Sequence, residues 1–254
     1  VINAGQELSI DIQMVGIADG VVEYFITLYP LLRKRQDIRD IDIQERGAIM
    51  EEYRKIETLL DRDEKFKVVL NKWRLPEFEY LKNNEWLWTE KIDGTNIRVM
   101  WIPEVGIKFG GKTNKAQMPP LLLKRLQEIF TEDKMKLAFP ETSVCLYGEG
   151  FGAKIQKGGG NYIPNGCDFI LIDIKIGDWW LERENIEGIA SKLDIKVVPI
   201  IGRGNLIDAI GKTKEGYYST FGQFIAEGIV VRPLITLFTR KGERLLGKIK
   251  TKDF

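Results

Sequence analysis

From residue 85 onward, apolar and polar positions alternate in short runs separated by glycine- and proline-containing turns, the pattern of strands joined by tight connections. Residues 96–101, Asn-Ile-Arg-Val-Met-Trp, repeat at period two, and a second run at 86–90 precedes them across a glycine turn. Residues 103–106 supply a hairpin turn. Further strands are predicted at 144–147, 169–174, 179–181, 229–231 and 245–249. Helical spacing lies between them at 120–130, 182–193 and 206–210, with Asn205 placed to cap the last. Hairpin-linked strands with interspersed helices predict an α+β fold of mainly antiparallel sheets.

The first 49 residues read differently. A short apolar block is followed by the charge-dense run Arg33, Lys34, Arg35, Asp37, Arg39, Asp40 and Asp42, so residues 1–49 are expected to be an extension, helical or a linker. The stretch 21–32 is interrupted by Glu23 and Pro30 and falls short of the ~20 apolar residues a membrane span needs. No basic region precedes it, so neither a membrane span nor a signal peptide is expected. Met50 opens Met-Glu-Glu-Tyr-Arg-Lys-Ile-Glu-Thr-Leu-Leu, whose apolar spacing predicts a helix, and the working domain is expected to cover 50–254.

Composition narrows the chemistry. At 44% hydrophobic and 30% charged, the 254-residue chain can bury a core and is neither a disordered nor a disulfide-scaffold sequence. Its net charge of +1 gives no whole-molecule attraction to a polyanion, so such binding needs a local patch. Histidine is absent, which removes Ser-His-Asp and Cys-His nucleophiles, histidine-ligated metals and imidazole acid–base catalysis. The two cysteines, Cys145 and Cys167, are too few for a metal cluster and are expected as free thiols in a reducing cytosol. The six tryptophans are expected to fill the core or its rim. Reactive groups must come from Lys, Arg, Asp and Glu.

One segment stands where a strand meets a turn: Glu90-Lys91-Ile92-Asp93-Gly94-Thr95-Asn96. A strand end presents side chains at a pocket mouth, and Gly94 permits close backbone approach. Four other segments follow in order: Leu146-Tyr147-Gly148-Glu149, Asp168-Phe169-Ile170-Leu171-Ile172-Asp173, Glu227-Gly228-Ile229-Val230-Val231-Arg232 and Lys248-Ile249-Lys250-Thr251-Lys252.

Together the five resemble motifs I, III, IIIa, IV and V of the covalent nucleotidyltransferase superfamily, the polynucleotide ligases and mRNA capping enzymes. Within it the chain is similar to phage nick-sealing RNA ligases of the RNA ligase 2 type. Supporting stretches are Glu-Lys-Ile-x-Gly-Thr-Asn at 90–96, Ile155-Gln156-Lys157 and Pro-Ile-Ile-Gly-Arg-Gly at 199–204. The likeness runs from about residue 53 to 254. It implies an adenylyltransferase domain, an ATP-grasp-like ligase core of antiparallel sheets with flanking helices. The implied reaction joins RNA 5′-phosphate and 3′-hydroxyl ends with ATP and Mg²⁺, or Mn²⁺ in its place. A monomer is expected, in the cytoplasm, phage-encoded in a bacterial host.

The resemblance also implies roles. Lys91 would attack the α-phosphorus of ATP to give a lysyl-AMP. A lysine amine with an ordinary pKa of ~10.4 needs activation, for which Lys250 and Lys252, at i and i+2 of one strand, are the expected cations. Glu227 is expected as a Mg²⁺ ligand, with Glu149 as a ribose-binding acid and second metal ligand. Glu90, Ile92, Asn96, Lys112 and Ile172 complete the nucleotide site. Lys112 stands where the family carries an arginine, keeping the charge without the bidentate fork. Ile172 stands where an aromatic residue stacks on adenine, and Phe169 is the alternative. Arg232, Arg240, Lys241, Arg244, Lys248, Lys250 and Lys252 form a basic stripe expected to meet RNA. The sequence stops after motif V, so a C-terminal RNA-binding domain is not expected. Other readings are a DNA ligase core, a GTP-dependent capping guanylyltransferase and a non-catalytic nucleic-acid end-binding protein.

Overall fold

The computed structural model describes residues 9–18, 21–29 and 51–254. Contacts divide the chain into two compact units, 1–47 and 48–254. In the first, β1 (Ser9–Ala18) and β2 (Val21–Tyr29) pair antiparallel. The expected helix or linker is therefore, over these residues, a two-stranded ribbon. The composition of Val21-Val-Glu-Tyr-Phe-Ile-Thr-Leu-Tyr, rich in β-branched and aromatic residues, accounts for it. The charged run at 33–42 lies outside the described residues.

The second unit is α+β, built on two main sheets. The strands are β3 (Glu57–Thr58), β4 (Leu60–Arg62), β5 (Val68–Trp73), β6 (Trp86–Glu90), β7 (Thr95–Ile102), β8 (Gly106–Gly110), β9 (Val144–Gly152), β10 (Cys167–Ile176), β11 (Trp179–Trp180), β12 (Lys196–Val197), β13 (Ile200–Gly204), β14 (Gly228–Pro233) and β15 (Gly247–Lys250). The helices are α1 (Pro76–Tyr80), α2 (Pro120–Ile129), α3 (Glu132–Ala138), α4 (Gly159–Tyr162), α5 (Arg183–Leu193) and α6 (Leu206–Glu215). A six-stranded sheet has the order β11-β10-β9-β7-β8, with β12 beside β10; a five-stranded sheet runs β13-β6-β14-β15-β3; β4 and β5 form a ribbon. The pairings are antiparallel except β10 with β12 and β15 with β3.

Each sheet has its own core. Ile97, Val99, Trp101, Leu146, Phe169 and Leu171 pack against Leu122 and Leu126 of α2, and against Ile186 and Ala190 of α5. On the five-stranded sheet Trp86, Trp88, Ile229, Val231 and Ile249 pack with Phe78, Leu206 and Ala209. α2 begins at Pro120, where a missing N–H costs nothing, and its apolar positions 122, 126 and 129 share one face. Asn205 caps α6 by accepting from Asp208 N at 2.8 Å, and Gly216 at φ 78° ends it.

The predicted helix at 50–60 is absent. Residues 51–56 form no regular element, and 57–58 and 60–62 are strands. Tertiary partners override the helical spacing. Tyr53 is drawn into a cluster with Tyr147, Leu59 and Leu60 both enter the core, and β3 adds to the edge of β15. Both cysteines are free thiols, and burial pushes that of Cys145 up to about 12. Trp179 departs from the expected core role, being 78% exposed. No helix among the described residues is long and apolar enough to cross a membrane.

Candidate active site

β6 ends at Glu90 in the five-stranded sheet and β7 begins at Thr95 in the six-stranded one, so Lys91-Ile92-Asp93-Gly94 is the passage between the two. It is tied at both ends. Lys91 N donates to Gly228 O at 2.8 Å, and Asp93 N donates to the Tyr162 hydroxyl at 3.2 Å. A Cβ on residue 94 would stand 2.3 Å from the Gly150 carbonyl oxygen, so the loop reaches β9 only because that residue is glycine. A cavity of about 360 Å³ opens here. Glu90, Lys91, Ile92, Asn96, Lys112, Glu149 and Ile172 all line it, which brings together seven of the residues singled out in the sequence.

Charge gathers beside the cavity, around Lys91. Lys91 Nζ lies 2.7 Å from Glu227 Oε2, and Lys250 Nζ lies 2.5 Å from Oε1 of the same carboxylate. Burial raises the cost of charging Glu227, but Lys91 and Lys250 more than offset it and hold the carboxyl below its ordinary range. Glu149 goes the other way. Burial, with Glu227 and Asp93 nearby, pushes it up to about 7 despite the opposing field of Lys91. Asn96 sits opposite Glu149 in the β7–β9 register, and its buried Oδ1 has no partner among the described residues.

The strand carrying the expected cation pair is read one register late. Lys252 lies beyond β15 in a single 3₁₀ turn (Thr251–Asp253), exposed, with its carbonyl accepting from Lys67 Nζ at 3.0 Å. The i, i+2 pair on the cavity side is Lys248 and Lys250, and Lys248 lines the cavity. Burial, then the neighbouring charges of Lys91, Lys250, Lys55 and Arg62, lower Lys248 to about 8. Strand parity puts 248, 250 and 252 on one face alike; what separates them is that β15 ends at Lys250 and the chain turns at Thr251. Tyr53, Arg54, Lys55 and Ile56 also line the cavity and carried no sequence signal once the segment was read as a helix.

Of Ile172 and Phe169, a bulge brings Ile172 to the cavity wall. The β9–β10 register shifts between Leu171 and Asp173, so Ile172 is an extra residue that turns toward the cavity. Phe169 faces the other side, 2% exposed, edge-on to Phe130 at 5.2 Å. Directly after the bulge, buried Asp173 accepts hydrogen bonds from the Tyr53 hydroxyl at 2.5 Å, Arg244 Nη2 at 3.0 Å and Arg232 Nη1 at 3.2 Å. Arg244 also stacks on Trp180, its guanidinium carbon 3.5 Å from the ring centroid. Burial opposes charging Asp173, yet the two guanidiniums hold it at about 2. Arg232 and Arg244 are thus committed internally, and the expected basic stripe is broken at those two positions; Arg240, Lys241 and Lys252 remain exposed.

Glu90, 1% exposed, is held from a segment the sequence reading passed over. It accepts from Ser219 Oγ at 2.5 Å, Thr220 N at 2.9 Å and Thr220 Oγ1 at 2.7 Å. No signal in Ser-Thr alone would have found this pair.

Residues 84–250, about two thirds of the chain, match the model of the RNA ligase family. The chain belongs to the RNA ligase family. Among solved structures, an apo mutant of an RNA ligase from Naegleria gruberi is similar at 18% identity, with 95% of this chain and 74% of that one covered and a TM-score of 0.55. A mutant of the same ligase with AMP and Mn gives 18% identity, 92% and 72% coverage and a TM-score of 0.56. An archaeal ATP-dependent RNA ligase gives 13% identity and a TM-score of 0.55, with 80% of this chain and 49% of that one covered. At these identities the likeness is one of fold, and the α+β architecture of antiparallel sheets is the one this RNA ligase family member shares with them. No curated protein matches the sequence.

Proposed function

We propose that this RNA ligase family member uses ATP to join RNA 5′-phosphate and 3′-hydroxyl ends through a covalent AMP on Lys91. The observation that carries the reading is the Lys91–Glu227–Lys250 ion-pair arrangement beside a nucleotide-sized cavity that Lys91 itself lines, together with Lys248, Lys112 and Lys55, which have no carboxylate partner among the described residues. The similar structures agree: the Naegleria ligase was solved as a mutant with ATP and Mn and also with pyrophosphate, and the archaeal one is ATP-dependent.

In the first step Lys91 Nζ, having lost its proton and its ion pair with Glu227, attacks the α-phosphorus. A P–N bond forms, and the P–O bond to pyrophosphate breaks. Lys248 from the cavity wall and Lys250 beside Glu227 would stabilise the charge gained by the α-phosphoryl oxygens, and Lys55 and Lys112, also in the wall, would meet the leaving pyrophosphate. A 5′-phosphate oxygen of RNA then displaces Lys91 from the AMP phosphorus. A 3′-hydroxyl next attacks the 5′-phosphorus and AMP leaves. Ile92, Ile172 and Val198 provide apolar walls for the base, and the unpartnered Asn96 Oδ1 is free to accept from a ribose hydroxyl.

Among the described residues no group of three or more metal-binding side chains gathers. The available donors are Glu149 and Glu227, and two carboxylates completed by phosphate oxygens and water fit Mg²⁺ or Mn²⁺. The ion would supply charge neutralisation on the phosphates. Glu149 and Glu227 would hold it, and Glu227 must give up a lysine to do so.

Incubation with labelled ATP and Mg²⁺, followed by intact-mass and peptide analysis, tests the reading. The expected product is one AMP on Lys91. Label from GTP alone, or an adduct that persists in Lys91→Ala, would overturn it.

A further inference from the structure

At the tip of the β4–β5 ribbon a tight turn holds an aromatic ring out in solvent. Asp63 and Lys67 close the three-residue loop Glu64-Lys65-Phe66: Asp63 N donates to Lys67 O at 2.8 Å, and Phe66 N donates to Asp63 O at 3.0 Å. The third residue of such a loop is left-handed and is ordinarily glycine. Here it is Phe66, at φ 61°. A bulky side chain is disfavoured in that region. Nothing inside the fold compensates, for the ring is 76% exposed and joins neither sheet's core.

The turn is fixed, and so is its place beside the active site. Asp63 Oδ1 accepts from Lys65 N and Lys67 N, both at 2.9 Å, which engages that carboxylate inside the loop and leaves Glu64 against Lys65 and Lys67 at the tip. Lys67 Nζ donates to Lys252 O at 3.0 Å, and Arg62 Nη2 meets Asp253 Oδ2 at 2.5 Å. The same Asp253 oxygen accepts from Lys250 N at 3.3 Å, and Lys250 shares Glu227 with Lys91. The ribbon is therefore clamped to the 3₁₀ turn that follows β15, the strand of Lys248 and Lys250. Arg62 is near enough for its charge to act on Lys248 in the cavity wall. Phe66 is four residues from Arg62, at most about 14 Å of chain, a span of a few nucleotides.

We propose that the tip of the β4–β5 ribbon is an RNA-docking point, where the Phe66 ring stacks on an unpaired base of the substrate strand while Lys65 and Lys67 hold the phosphates beside it. Single-stranded RNA is held by aromatic faces on which bases stack and by cations along the backbone, and an exposed ring between two lysines offers both. A base on the ring would supply the contact that the fold withholds from it. The assignment rests on the ligase reading, which makes RNA the strand that must approach Lys91.

The test measures binding of a short 5′-phosphorylated single-stranded RNA, labelled at its 3′ end, to the full chain by fluorescence anisotropy without ATP, beside a thermal melt of each variant. Phe66→Ala is expected to weaken binding about tenfold, the size of one lost base–aromatic stack, and Phe66→Trp to restore it. Phe66→Gly relieves the left-handed backbone, so its melting temperature should equal or exceed that of the unmodified chain while its RNA affinity falls as far as that of Phe66→Ala. A ring with a merely structural role would lower stability and binding together. Lys65→Ala should lessen the slope of log K against log salt by about 0.7, the loss of one phosphate contact on a single strand. RNA affinity within twofold of the unmodified chain in Phe66→Ala and Phe66→Gly would overturn the inference while the ligase reading stands. So would a melting temperature that falls in Phe66→Gly, or a change of oligomeric state in Phe66→Ala with RNA affinity kept, which would make the ring a contact between copies of this chain. An unmodified chain that binds no RNA would overturn the ligase reading with it.

Discussion

Replacing Asp173 by Asn keeps the volume and removes the charge that two buried guanidiniums share. Arg232 and Arg244 side chains are 13% and 10% exposed, and Asp173 is 1% exposed, so neither arginine can turn to water for compensation. The carboxyl is held at about 2 in the folded chain against an ordinary 3.8. That difference of nearly two pH units corresponds to roughly 2–3 kcal/mol of folded-state stabilisation of the ionised form. Removing one partner from a buried ion pair costs about 3–5 kcal/mol, so Asp173→Asn should lower stability at pH 7 by about 3 kcal/mol. Because the folded value lies below the unfolded one, the stabilisation is complete above about pH 4 and is lost as pH falls toward 2. Urea unfolding followed by tryptophan fluorescence at pH 7, 5, 4 and 3 should show a gap between the two proteins that is constant down to about pH 5 and narrows below it. A gap of the same size at pH 7 and pH 3 would refute the argument, because it would trace the loss to shape rather than charge.

Four further outcomes follow from the cavity. Lys248→Ala should slow adduct formation by about a hundredfold or more, whereas Lys252→Ala should stay within threefold, measured by single-turnover labelling with ATP. The pH profile of kcat/KM for adduct formation should rise through about 7 as Glu149 becomes an anion able to meet a divalent ion, and fall above about 8 as Lys248 loses its charge. Glu149→Gln should flatten the rising limb, and Lys248→Arg should carry the falling limb to higher pH. Gly94→Ala, whose new carbon would meet the Gly150 carbonyl at 2.3 Å, should abolish labelling while leaving a cooperative thermal transition. Removal of residues 1–49 should preserve labelling, whereas removal through Ile56 takes Tyr53 from Asp173 and should abolish it, both read by intact mass.

The parts of the fold legible in the sequence are those where local pattern and tertiary demand agree. β7 alternates because one face meets the α2 side of its sheet and the other meets Tyr147 and Tyr53. α6 was readable from Asn205, since its cap is a contact between near neighbours. Residues 51–56 were misread because what fixes them is distant: Glu51 pairs with Lys175, and Tyr53 with Asp173. The site was legible to the same extent. Lys91, Glu149 and Glu227 stand on short ordered segments, whereas Ser219 and Thr220 act on a residue about 130 positions earlier. Ile172 could be placed only once the register of β10 against β9 was known.

The bulge at Ile172 sets what this region tolerates in change. Side chains there can vary in bulk, as only the cavity wall receives them. The extra residue itself is what must stay. Deleting Ile172 would restore a regular ladder and keep Asp173 opposite Tyr147, but it would take away the side chain that closes the cavity on that side. A lineage carrying this strand is free to trade that wall, aliphatic for aromatic, so long as the bulge that presents it is kept.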